Sequence, residues 1–195
     1  MMTAQDTINL NVTEGELNDD SVEESFVKFL NIIQPEHPYN SNPYPLKRDN
    51  VEYSYVKVTG PYYARCGPMN GRKNSGLYAT FSYSLDKFNR MSLERLMAVL
   101  VHEVTHITVG SHSQKESGSH PPRFWREFGF NAHLILDSWN EIEEFLSADL
   151  SKNDFIGFIV KEEVNPFNID KRYGSVSVRR EEMARWFKET LKNSK

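Results

Sequence analysis

Two histidines with a glutamate beside the first, His102-Glu103-Val104-Thr105-His106, are the residues in this chain best suited to chemistry. Side chains four apart on a helix share a face, so both imidazoles can reach one cation. Glu103 stands about 100° around from His102, close enough to address water at that cation without ligating it. Zinc suits neutral imidazole, lowers the pKa of a water it holds toward roughly 7 and polarises a carbonyl. The carboxylate can then take the water's proton and pass it to a leaving group. The pattern fixes only three positions, so two histidines met by accident on an exposed helix is the competing reading. Here the pattern lies late on an apolar-faced helix, ahead of a loop with two more histidines.

A catalytic zinc needs a third protein ligand and one open position. His112 stands six residues after His106, the separation used by metzincins. That family's glycine would fall at Val109, whereas the chain has Gly110, and no Met-turn follows. His120 stands fourteen residues after His106, beyond the polar stretch 110–119. His133 reads as structural, and His37, beside Pro38, as an exposed loop residue.

The elements that must position these residues follow from periodicity. Ser92 caps a helix predicted over 92–109, with Leu93, Leu96, Met97, Leu100 and Val101 on its apolar face and Arg90, Glu94 and Arg95 opposite. Phe124, Trp125, Phe128, Ala132, Ile135 and Leu136 mark a second helix near 121–137, with proline in its first turn. Residues 139–150 either continue it after a kink or form a third helix. Upstream, Asp20 or Ser21 caps a helix near 21–34, Ser21 and Glu24 spelling a capping box. Residues 51–58, 62–66 and 77–84 read as strands, and the strand at 77–84 is the candidate for pairing with an extended substrate at a sheet edge.

With these residues in view, HEVTH, a polar loop and then His120-Pro121-Pro122-Arg123-Phe124 resemble the SprT-like zinc metalloproteases. The wider group includes the WLM and YgjP-like zincins, whose H-x-x-x-F-W is similar to His120 through Trp125. The likeness spans about residues 70–136 and departs at Pro121, where glycine is usual. It implies His102, His106 and His120 as ligands to Zn2+, and Glu103 as general base. The fold expected is α+β: a zincin-like core with a small antiparallel or mixed sheet packed on the HExxH helix and a following helix, plus extra C-terminal helices.

The 195 residues divide into an acidic arm (1–19), read as disordered, a metallohydrolase domain (20–150) and a C-terminal extension with a basic helix (151–195). A single cysteine, Cys66, rules out an internal disulfide and the Cys-built zinc ribbon of many SprT-like proteins. With net charge -4 the chain as a whole has no attraction to nucleic acid or anionic membrane. Residues 171–195, however, set eight Lys or Arg against three Glu. That end is either a solvated helix or a nucleic-acid contact through Lys171, Arg172, Arg179, Arg180 and Arg185. The start of the chain has neither a basic n-region nor an apolar h-region, and no run nears 18 apolar residues, so an intracellular, non-membrane protein is expected. Three functions compete: a peptidase acting on polypeptide substrates, a YgjP-like hydrolase of a nucleotide or other non-peptide substrate, and a zincin scaffold that only binds. Nothing in the sequence chooses an oxyanion donor among Tyr62, Tyr63, Tyr78, Tyr83 and Tyr173.

Overall fold

The computed structural model describes residues 17–33, 45–55, 63–68, 77–109 and 122–162, a mixed α+β arrangement dominated by helices. Its elements are α1 (Asp19–Ile33), β1 (Val51–Tyr55), β2 (Ala64–Pro68), β3 (Ala79–Tyr83), α2 (Leu85–Phe88), α3 (Leu93–Val109), α4 (Pro122–Asp137), α5 (Trp139–Leu146) and α6 (Lys152–Glu162).

Helix α3 carries His102, Glu103 and His106. Ser92 caps it, its Oγ accepting the Arg95 N–H at 3.3 Å. The sequence suggested one apolar face. Instead, every residue from Leu96 to Val101 is buried, as are Val104, Ile107 and Val109. The cause is the number of neighbours: α1, α4, α6 and β2 all pack against α3. A helix apolar nearly all round belongs at the centre of a core.

The three strands form one sheet in the order β1-β3-β2, with β1 parallel and β2 antiparallel to β3. The expectation that the 77–84 strand receives a substrate at a sheet edge is therefore wrong. β3 is central, and its backbone groups are used by strands on both sides. Alternation buries Ala79, Phe81 and Tyr83 on one face. Phe81 stacks on Phe26 of α1, with ring centroids 3.9 Å apart and planes 3° from parallel. The aromatic row continues from Phe81 through Tyr83 to Phe88, at 5.1 and 5.8 Å. Burying side chains of this size contributes about 1.5–3 kcal/mol each, which fixes α1 to the sheet.

Helix α1 starts at Asp19, and its cap is Asn18 rather than Asp20 or Ser21. Asn18 Oδ1 accepts the Ser21 N–H at 2.8 Å, while the Asn18 N–H donates to Ser21 Oγ at 3.1 Å. This is a reciprocal capping box with serine in the place glutamate usually takes. At the other end of the chain, α5 is a separate helix that stops at Ser147, whose φ of 51° turns the backbone away. Helix α6 lies beyond the boundary drawn at residue 150 yet packs on α3, with Phe155 and Ile159 fully buried. The Ser151 N–H ties this junction to Glu94 Oε1 at 3.1 Å. The core thus runs past 150.

Residues 1–16, the stretch 110–121 and the basic segment 163–195, with the basic helix expected there, lie outside the described residues. No helix among the described residues is long and apolar enough to cross a membrane.

Candidate metal centre

His102 and His106 project from α3 with ring centroids 5.1 Å apart and planes at 71°. Two imidazoles bound to one tetrahedral zinc at about 2.0–2.1 Å carry their centroids roughly 5 Å apart, so this pair fits a shared cation. Phe124 of α4 lies 5.0 Å from the His102 ring and 4.7 Å from that of His106, an aromatic wall touching both. Phe128, one turn on, closes on His102 at 6.1 Å. This apolar surrounding has an electrostatic consequence. Burial lowers the His106 pKa to about 4, leaving a neutral imidazole at pH 7, the state that ligates metal.

Glu103 faces the sheet. Its carboxylate is buried and accepts the backbone N–H of Cys66 in β2. Desolvation dominates and raises its pKa to about 8, against the opposing pull of the Cys66 N–H and the Arg65 charge. The geometry of β2 explains why that N–H is available. Ser84 N–H donates to Tyr63 O at 3.2 Å, so Tyr63, Arg65 and Gly67 turn their backbone groups toward β3. Ala64, Cys66 and Pro68 then turn theirs outward, which also places a residue lacking an N–H where the ladder needs none. β2 is an edge strand among the described residues, and its outer edge meets Glu103.

No family model, curated protein or solved structure matches the chain.

Of the four residues assigned to the site from sequence, His102 and His106 are brought together on α3, while Glu103, on the same helix, meets the Cys66 N–H of β2. His120, like its competitor His112, lies outside the described residues, as does His37. Among the described residues no group of three or more His, Cys, Asp or Glu could hold a metal ion. His133 has its Nε2 3.4 Å from Asp137 Oδ2, one turn along α4.

The structure also narrows the tyrosines. Tyr83 donates to Asp19 Oδ1 at 2.8 Å and to Glu23 Oε1 at 3.1 Å, on the α1 side of the sheet. Tyr78 is buried, and Tyr62 and Tyr173 lie outside the described residues. Tyr63 remains: its hydroxyl accepts Arg95 Nη2 at 2.7 Å.

One group of polar residues escaped the sequence reading. Buried Asn131 of α4 donates from Nδ2 to Thr105 Oγ1 at 2.9 Å and to Thr108 Oγ1 at 3.3 Å. Thr105 Oγ1 in turn donates to Val101 O at 2.7 Å, and Thr108 Oγ1 to Thr105 O at 3.0 Å. The signal was a lone asparagine among Phe128, Ala132 and Ile135 on an otherwise apolar stripe.

Proposed function

We propose that the chain is a zinc-dependent metallopeptidase of the SprT-like kind, with a zincin-like core. The observation that carries this reading is the 5.1 Å approach of the two imidazoles on α3, with Glu103 buried on the same helix. His102 and His106 would hold Zn2+ together with His120, which stands two residues ahead of the first residue of α4. When bound, zinc supplies a positive charge that polarises a carbonyl and acidifies water.

The chain's own residues do the rest. Glu103 accepts a proton from the attacking water and delivers it to the departing amine. Burial makes the ionised carboxylate a stronger base, and the charge of a bound zinc would favour the ionised form that must take the first proton. Phe124 restrains both imidazoles and keeps water from their backs. A nucleic-acid contact through Lys171, Arg172, Arg179, Arg180 and Arg185 belongs to the same proposal, bringing the enzyme to DNA-associated substrates.

The test is cleavage of an unfolded polypeptide by the full chain, with and without single-stranded DNA. Chelation should abolish cleavage and added zinc should restore it. Cleavage indifferent to chelation, or none under any condition by protein carrying one zinc per chain, refutes the peptidase reading.

A further inference from the structure

Apolar surfaces hold α3 and α4 together, since Phe124, Phe128, Ala132 and Ile135 are all buried. Such contacts fix proximity but are non-directional, so they do not by themselves set how far one helix has slid along the other. Metal ligation is less forgiving, with distances held to about 0.2 Å. A slip of α4 by one residue would move Phe124 by about 1.5 Å against both imidazoles. Something directional must set the register.

We propose that Asn131 is a positioning residue for the metal centre, locking the register of α4 on α3 through the hydroxyls of Thr105 and Thr108. The inference rests on the zinc reading of His102 and His106. Thr105 and Thr108 bracket His106, and each spends its one hydroxyl proton on a helix carbonyl, Val101 O and Thr105 O. Only lone pairs are then left to face α4. An amide NH2, with two protons, can satisfy both; an ionised carboxylate of the same shape can satisfy neither. Asn131 and Phe124 are seven residues apart, close to two full turns, and so share a face of α4. Whatever fixes Asn131 therefore fixes the aromatic wall behind the imidazoles, and with it the helix that opens two residues after His120.

The experiment uses the full chain and two metals, zinc in competition with a chromogenic chelator and cobalt as a spectroscopic reporter. Asn131→Asp, isosteric but without the NH2 donor, should weaken zinc binding about 10- to 100-fold, the usual cost of disturbing groups that orient ligands. The cobalt d–d bands should shift or lose intensity, a change that mere loss of stability does not produce in the folded fraction. Should Asn131→Asp fail to fold, Thr108→Val removes one acceptor at a half-buried position and should weaken zinc binding several-fold. Folded variants with unaltered zinc affinity and an unaltered cobalt spectrum overturn the proposal and leave the zinc reading intact. A native chain that binds neither metal overturns both.

Discussion

Glu103 and Glu23 are buried almost equally, at 6% and 7% exposure, yet the protein treats them differently. Glu23 pairs with Arg48 Nε and accepts the Tyr83 hydroxyl at 3.1 Å. Arg48 reaches on to Asp20 at 2.6 Å, and Tyr83 to Asp19 at 2.8 Å, so the whole group staples α1 to β3 and to the turn before β1. Glu103 instead receives a backbone N–H, with the Arg65 charge acting on it, and burial still pushes its pKa up to about 8. A buried carboxylate matched by a cation and a hydroxyl is part of the fold. One left costly to ionise, on the helix that carries two imidazoles, is a candidate for proton transfer.

The sharpest way to break this comparison is to neutralise each glutamate in turn. Glu103→Gln keeps shape but cannot accept a proton, so peptide turnover should fall by about 10²–10⁴ while zinc stays bound. Turnover that persists with zinc bound removes Glu103 as the base, and loss of zinc makes it a ligand. Glu23→Gln should do the converse, with turnover per folded molecule unchanged and chemical denaturation showing a loss of about 1–2 kcal/mol. If Glu23→Gln abolishes turnover without lowering stability, the division of labour drawn between the two glutamates is wrong.

The third ligand comes next in size. His120→Ala should weaken zinc binding beyond the roughly 10–100-fold of an outer-shell change, while His112→Ala should leave it near that of the native chain. Chelator competition on the two variants reads this directly, and the reverse order would favour the metzincin-like spacing. The smallest effect belongs to the far side of the sheet. Asn18→Ala removes the capping box that starts α1 and should cost about 1 kcal/mol, with metal binding untouched. A change in zinc affinity from Asn18→Ala would mean that the Glu23 side and the metal side are coupled.

Much of this was legible in the sequence because short-range rules govern it. The spacing of His102 and His106 already put both rings on one face of a helix, and Ser92 and the Pro121-Pro122 pair marked, to within a residue, where α3 and α4 begin. Long-range placement was not legible. Periodicity gave three strands but not that β3 lies between the other two, so the exposed edge was assigned to the wrong strand. The all-round burial of α3 depends on four neighbours that its own residues do not name. Helix α6 carries Gly157 and the branched Ile156, Ile159 and Val160, which argue weakly for a helix until α3 is there to cover Phe155 and Ile159. The pairing of Glu103 with the Cys66 backbone joins residues 37 apart, and backbone donors carry no sequence signature.

Metal content tests the central claim most directly. Elemental analysis of the purified native chain should find about one zinc per molecule, and the double variant His102→Ala/His106→Ala, folded by circular dichroism, should retain none. Stoichiometric zinc in the double variant, or a native chain that takes up no zinc when it is supplied, contradicts the account.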